Sequence, residues 1–146
     1  MIETAVVIGP EGPLYWHLPP DRTGGSIPDS RALWDVLWEH RKYVVGVAHT
    51  HPGWGPPGPS RTDLTTFIAI QKGLGRDLVW WIASQDHIIE LEGVALGTHD
   101  CGCPAARVPG RIDYRIRHIL EPSWVGPLRK LSEGLTIEEV FGTPEQ

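Results

Sequence analysis

The stretch VVGVAHTHPGWGPPGPSRTDL, residues 44–64, contains the features that decide the fold of this chain. It begins with a short apolar run, which is typical of a buried β-strand. His49 and His51 follow at the end of that run. Residues two apart on a strand point to the same side of the sheet, so the two imidazoles are predicted to project together. Pro52 cannot donate to a strand ladder and predicts that the chain leaves the sheet there.

The second half of the stretch predicts a stiff loop followed by a helix. Residues 53–59 contain three glycines and three prolines, so the loop turns sharply and has few conformations. Ser60 lies directly before an apolar pattern with helical spacing, and Asp63 falls in the first turn. Two imidazoles, one carboxylate and an open position are the parts of a catalytic zinc site. His49, His51 and Asp63 are therefore the predicted metal ligands.

Each part of this pattern also has a purely structural interpretation. Ser60 and Asp63 match a capping box, which usually serves only to begin a helix. A His-x-His pair alone is more often structural than metal-binding. The combination of both parts with the intervening proline loop is much less common, and it favours the metal site.

The flanking sequence alternates strands with helices and predicts an α/β fold. Apolar, β-prone runs are joined by the turn residues GPEGP and predict a hairpin. Helical spacing and further β-prone runs complete the pattern. The predicted strands are 4–8, 14–18, 43–48, 78–83 and 87–91, and the predicted helices are 30–40 and 63–72.

Beyond residue 93 the composition changes. Residues 97–110 have the composition of a loop or linker, and alternating apolar residues at 112–116 predict an edge strand. The run LTIEEVF predicts a short helix. We therefore expect a core at 1–93 and a C-terminal extension at 94–146, packed on the core or tethered to it.

Composition argues against several classes of protein. The 146 residues suit one domain, and 40% hydrophobic with 21% charged residues is ordinary globular composition. No apolar run approaches the roughly 18 residues of a membrane span. The net charge is −5 without a clustered basic face, so nucleic acid is not an expected partner.

The compartment is predicted from the first residues and from the cysteines. MIETAVVIG has an acid where a secretory signal would carry positive charge, which predicts no export. Cys101 and Cys103 are the only cysteines, and a disulfide across one glycine would be strained. We expect a cytoplasmic protein. With His99, these cysteines could bind a second metal, although the spacing matches no standard zinc module.

The motif resembles the signature of a known family. His49-Thr-His51-Pro52, seven residues, then Ser60-Arg-Thr-Asp63 is similar to the pattern of the JAMM (MPN+, JAB) zinc metalloproteases, and the short intervals resemble the stand-alone prokaryotic type. The resemblance implies a cytidine-deaminase-like JAB/MPN fold, α/β (α+β), with a curved mixed sheet flanked by helices. It implies one Zn²⁺ per chain and hydrolysis of peptide or isopeptide bonds. The implied substrate is a peptide or a ubiquitin-like or sulfur-carrier protein.

The family also uses an upstream glutamate as general base, and the resemblance covers residues 1–92. Glu3, followed by TAVVIG, has the required placement. Family members usually carry a helix before this acid, whereas only two residues precede Glu3, so it could instead be a solvated charge on a frayed end. The resemblance implies that Glu3 takes the proton of the attacking water and that Ser60 donates a hydrogen bond to the developing oxyanion.

Some functional alternatives stay open at this point. Trp54, in the stiff loop, either packs on the sheet or contacts substrate. The same fold can serve as a catalytically inactive scaffold or binding module. RadC-type DNA-associated proteins carry a similar motif, although the net negative charge of this chain argues against a role on DNA.

Overall fold

The computed structural model describes residues 2–18, 31–97 and 111–143. The elements in chain order are β1 (Ala5–Gly9), β2 (Gly12–His17), α1 (Arg31–Glu39), β3 (Gly46–Thr50), α2 (Arg61–Leu74), β4 (Val79–Ala83), β5 (Ile88–Leu96), β6 (Ile112–His118), α3 (Val125–Ser132) and α4 (Ile137–Phe141). The strands form one sheet in the order β2-β1-β3-β4-β5-β6. Only the β3–β4 pair is parallel among these strands. The predicted mixed sheet with flanking helices is confirmed.

Alternate residues of the central strands enter two cores on opposite faces of the sheet. On one face, Val7 and Val47 pack with residues of α1 and α2 such as Phe67. On the other face, Val6 and Ala48 pack with α3. We call these the α2 face and the α3 face. This alternation decides on which side of the sheet each functional side chain lies.

The central strand lies further along the chain than predicted. The apolar run predicted a strand at 43–48, but β3 is Gly46–Thr50 and includes His49. His49 is paired with Ala5 of β1 and with Ile82 of β4. Ladder pairing uses the backbone, so a polar side chain does not end the strand, and the apolar pattern placed the end too early.

The C-terminal part contributes to the same sheet. The edge strand β6 and the short helix α4 are confirmed, whereas α3 was not predicted. Gly126 and Pro127 resemble helix breakers, yet both lie in the first turn of α3, where proline is tolerated because the N–H groups have no intrahelical partner. The division of the chain at residue 93 stays a prediction. The two cysteines and His99 lie outside the described residues.

In the ranges that the structure describes, the helices are too short or too polar to cross a membrane.

Candidate metal centre

Two imidazoles meet where β3 ends on the α2 face. His49 is inside the strand, and His51 directly follows it, with its N–H donating to the carbonyl of Ala83 at 2.9 Å. The Nε2 atoms of the two histidines are 3.1 Å apart. The structure therefore places both rings on the same side of the sheet, as the spacing predicted.

The first turn of α2 brings a carboxylate to these rings. The Ser60 hydroxyl accepts from the Asp63 N–H at 3.0 Å, and Asp63 Oδ2 accepts from the Ser60 N–H at 2.9 Å. Asp63 Oδ1 lies 3.5 Å from His49 Nε2, and Oδ2 lies 2.9 Å from His51 Nε2. The capping box and the predicted ligand position are thus one arrangement, so the structural and the metal interpretations do not exclude each other.

The distances between these three side chains fit a tetrahedral metal ion. Each offers one ligand atom, and these atoms lie within 4.8 Å of one another. Ligands about 2.0–2.2 Å from a tetrahedral ion are about 3.4 Å apart. The two Nε2 atoms are 3.1 Å apart, and each lies near a different oxygen of the Asp63 carboxylate, Oδ1 at 3.5 Å from His49 and Oδ2 at 2.9 Å from His51. The described residues contain no other group of this kind. Three protein ligands leave a fourth position for water or substrate.

A packed aromatic wall fixes the orientation of His49. Its ring contacts Phe67 edge-on at 5.8 Å between centroids, and Phe67 stacks on Trp80 at 4.0 Å. The Trp80 indole N–H donates to Gln71 Oε1 at 2.9 Å. Phe67 and Gln71 are four residues apart, so they lie on the same buried face of α2.

The electrostatics of the cluster favour an ionised carboxylate. Burial alone would raise the pKa of Asp63, but hydrogen bonds from His49, His51 and the Ser60 backbone outweigh it and hold that pKa well below its usual range. The hydrogen bond to Asp63 raises the pKa of His51, against the opposing effect of burial. Asp63 is therefore charged at neutral pH, as a metal ligand must be.

A second carboxyl group faces the same cluster. Glu3 lies directly before β1, and its Oε1 is 3.6 Å from His51 Nε2. Its exposed fraction is only 6%, so its side chain is not a solvated surface charge. Burial raises the pKa of Glu3, although His49 and His51 partly oppose that change. The group is thus able to take and release a proton nearer to neutral pH than an ordinary carboxyl.

Ser60 is the N-cap of α2 and keeps a hydroxyl proton. Its oxygen accepts from the Asp63 N–H, and a hydroxyl that accepts one hydrogen bond still has its own proton to donate. The residue is exposed at the start of α2. The capping box therefore does not use the proton of the Ser60 hydroxyl.

Trp54 is presented on an anchored loop. The side chain is 77% exposed, so it does not pack on the sheet. The next residue, Gly55, donates its N–H to Asp86 Oδ1 at 2.7 Å and accepts from the Ser84 hydroxyl at 2.6 Å. These bonds tie the loop to the β4–β5 turn.

Metal affinity should fall as the pH is lowered. His51 must be neutral to bind a metal, yet Asp63 raises its pKa in the metal-free protein, so binding releases a proton once the pH is below that pKa. Each further pH unit should then weaken the apparent affinity about tenfold per proton released. Calorimetric titration in buffers of different ionisation enthalpy measures this release. An affinity unchanged between about pH 8 and about pH 5 would contradict the involvement of His51.

The chain matches a known family over more than half of its length. Residues 5–97, close to two thirds of the chain, match the family described as prokaryotic homologs of the JAB domain. The matched range contains His49, His51, Ser60 and Asp63, while Glu3 lies just outside it. No curated protein shows a significant match to the chain.

Proposed function

Because the chain belongs to the family of prokaryotic homologs of the JAB domain, we propose that it is a zinc-dependent metallopeptidase or isopeptidase. One observation carries the proposal. The buried carboxyl group of Glu3 lies 3.6 Å from His51, within a cluster whose three ligand atoms fit a metal ion. We propose one zinc ion per chain, bound by His49, His51 and Asp63.

Each part of the site has a separate role in the proposed hydrolysis. A zinc ion held there would polarise the scissile carbonyl and make a water molecule nucleophilic near neutral pH. Glu3 accepts a proton of the attacking water as the C–O bond forms, and delivers that proton to the amine nitrogen when the C–N bond then breaks. The Ser60 hydroxyl donates to the developing oxyanion, a contact typically worth on the order of 10²- to 10³-fold in rate.

The burial of Glu3 supports an enzyme over an inactive scaffold. Removing a carboxylate from water is unfavourable unless partners compensate it. Glu3 is nonetheless buried, and the groups that lower its pKa are the imidazoles of the metal cluster. A scaffold that only presented a surface would not need this residue at this place. A general base does need it.

The proposed substrate is a peptide or the C-terminal tail of a ubiquitin-like or sulfur-carrier protein. An extended tail presents its scissile bond to a cleft without unfolding of the substrate domain. Trp54 is largely exposed on a loop that begins directly after the ligand His51. Its ring offers an apolar contact for such a tail. We propose that the protein works in the cytoplasm.

Cleavage assays test the proposed function. The zinc-loaded protein should cleave ubiquitin, or a small sulfur-carrier protein, that bears a peptide extension on its C-terminus, with products identified by mass spectrometry. A chelator should stop cleavage, and added zinc should restore it. Trp54→Ala should raise KM while the bound zinc stays at wild-type level. If no extension is cleaved while one zinc is bound per chain, the scaffold interpretation is favoured instead.

A further inference from the structure

A network of hydrogen bonds on the α3 face lies directly behind Glu3. The Thr4 N–H donates to the Thr50 hydroxyl at 3.0 Å, and the Thr50 N–H donates to the Thr4 carbonyl at 3.0 Å. The hydroxyl groups of Thr50 and Ser132 share a hydrogen bond at 2.9 Å. The Ser132 hydroxyl also donates to the Ile2 carbonyl, and the Ile2 N–H donates to the Ser132 carbonyl at 2.6 Å. We call these four residues the clamp.

The clamp is isolated from water. Thr4, Thr50 and Ser132 are each completely buried. Water cannot replace a hydrogen bond that is lost in such a place, so a buried polar group left unpaired is costly. The Ile2 carbonyl also lies within reach of the Thr4 hydroxyl at 3.0 Å and the Thr50 hydroxyl at 3.4 Å, so the buried groups of the clamp satisfy one another and form a stable support.

The clamp holds the residue on each side of Glu3. Side chains alternate along an extended chain, and the Glu3 side chain projects to the α2 face. On the α3 face, the Thr4 N–H is bonded to the Thr50 hydroxyl, and the Ile2 carbonyl is bonded to the Ser132 hydroxyl. Fixing both neighbours fixes the backbone direction at Glu3 and hence the position of its carboxyl group. Thr50, which lies between the ligands His49 and His51, belongs to the same network. The base and the ligands are thus held by one support.

We propose that Ser132 and Thr50 are positioning residues for Glu3, so that α3 is a working part of the active site. Ser132 lies outside residues 5–97, the range matched to the family. The segment before β1 is bonded to a helix whose Ser132 lies 130 positions further along the chain. The inference rests on the proposed function, since positioning matters only if Glu3 takes part in the reaction.

Removing the Ser132 hydroxyl should slow the reaction without removing the metal. In Ser132→Ala we expect kcat to fall about 10- to 100-fold, the usual scale for misplacing a catalytic group by about 1 Å. KM and bound zinc should stay near wild type. In a Glu3→Gln background the same change should have little further effect, because there is no base left to position. A merely structural role would instead reduce the folded fraction equally in both backgrounds.

Matched variants separate the clamp from general damage. Thr50→Val keeps the shape and loses the hydroxyl, whereas Thr50→Ser keeps the hydroxyl and should recover most of the rate lost in Thr50→Val. Ser123→Ala, at an exposed serine just before α3, should leave the rate unchanged. Equal losses in Thr50→Ser and Thr50→Val would overturn the role of the hydroxyl.

A second readout does not depend on activity. Hydrogen exchange of the Thr4 amide should become at least about tenfold faster in Ser132→Ala than in Ser123→Ala. The reason is that the Thr50 hydroxyl, which accepts from this amide, has lost its hydrogen bond to Ser132. Unchanged exchange together with unchanged kcat would overturn the clamp and leave the proposed function standing. Absence of cleavage by zinc-loaded wild type would count against the proposed function, and the exchange rates would still decide whether α3 holds this segment.

Discussion

Replacing both His49 and His51 with alanine should reduce bound zinc from about one ion per chain to almost none. The double change leaves Asp63 as the one remaining ligand of the cluster. A single carboxylate does not retain a metal ion that normally has three protein ligands. Metal analysis by mass spectrometry after dialysis against metal-free buffer measures the outcome, and cleavage activity should disappear with the metal.

A matched double variant controls for the loss of two imidazoles. His40 directly follows α1, and His118 is the last residue of β6. Neither belongs to the cluster, so replacing both with alanine should leave the zinc content unchanged. Zinc should also raise the Tm of this control and of the wild type, since a ligand that binds only the folded state stabilises it. The His49→Ala/His51→Ala protein should show no such increase. Stoichiometric zinc in that protein would refute the ligand assignment.

The same measurement addresses the two cysteines. A second zinc ion that is lost on Cys101→Ser but kept in His49→Ala/His51→Ala would assign a separate metal site to the segment around Cys101 and Cys103. One ion, insensitive to Cys101→Ser, would leave the histidine cluster as the place of binding. The two variants therefore distinguish the two sites without an activity assay.

The ligands could be predicted from the sequence because the patterns that indicate them are local. The strand, the proline that ends it, the stiff loop and the capped helix follow one another within residues 44–64. Each is determined by the conformational preferences of its own residues. Once β3 and α2 form, the capping box of Ser60 and Asp63 turns the carboxylate toward the strand end. No distant contact is needed to bring it there.

The environment of Glu3 could not be predicted in this way. The backbone beside Glu3 is bonded to Ser132, whose hydroxyl contacts Ile2 from 130 positions along the chain and Thr50 from 82. Such pairs leave no local pattern in a single sequence. The helix that carries Ser132 was also hidden by its glycine and proline. Glu3, for which a solvated charge on a frayed end was the open alternative, is one of the best-buried charged groups in the described residues.

Glu3→Gln should retain zinc and the fold while turnover falls by on the order of 10²-fold or more, the usual scale for loss of a general base. Glutamine keeps the size of the side chain but cannot accept the proton. Burial already raises the pKa of Glu3, so a neutral amide at this place should cost little stability. The measurement is kcat at saturating zinc, with bound metal and Tm determined on the same sample. Glu11→Gln and Glu39→Gln, at exposed acids in the β1–β2 turn and on α1, should match wild type.

Asp63→Asn provides the contrast that makes the Glu3 result specific. The amide removes the negative charge of a ligand and one of the two oxygens that face the imidazoles, so zinc affinity should fall together with activity. Excess zinc should restore part of the activity of Asp63→Asn and none of that of Glu3→Gln. If turnover in Glu3→Gln equals that of wild type on a substrate that wild type cleaves, another acid is the base. If zinc also rescues Glu3→Gln, Glu3 contributes to metal binding and not to proton transfer. The two carboxylates are 3.6 and 2.9 Å from the same imidazole nitrogen, so only their different response to zinc separates the base from the ligand.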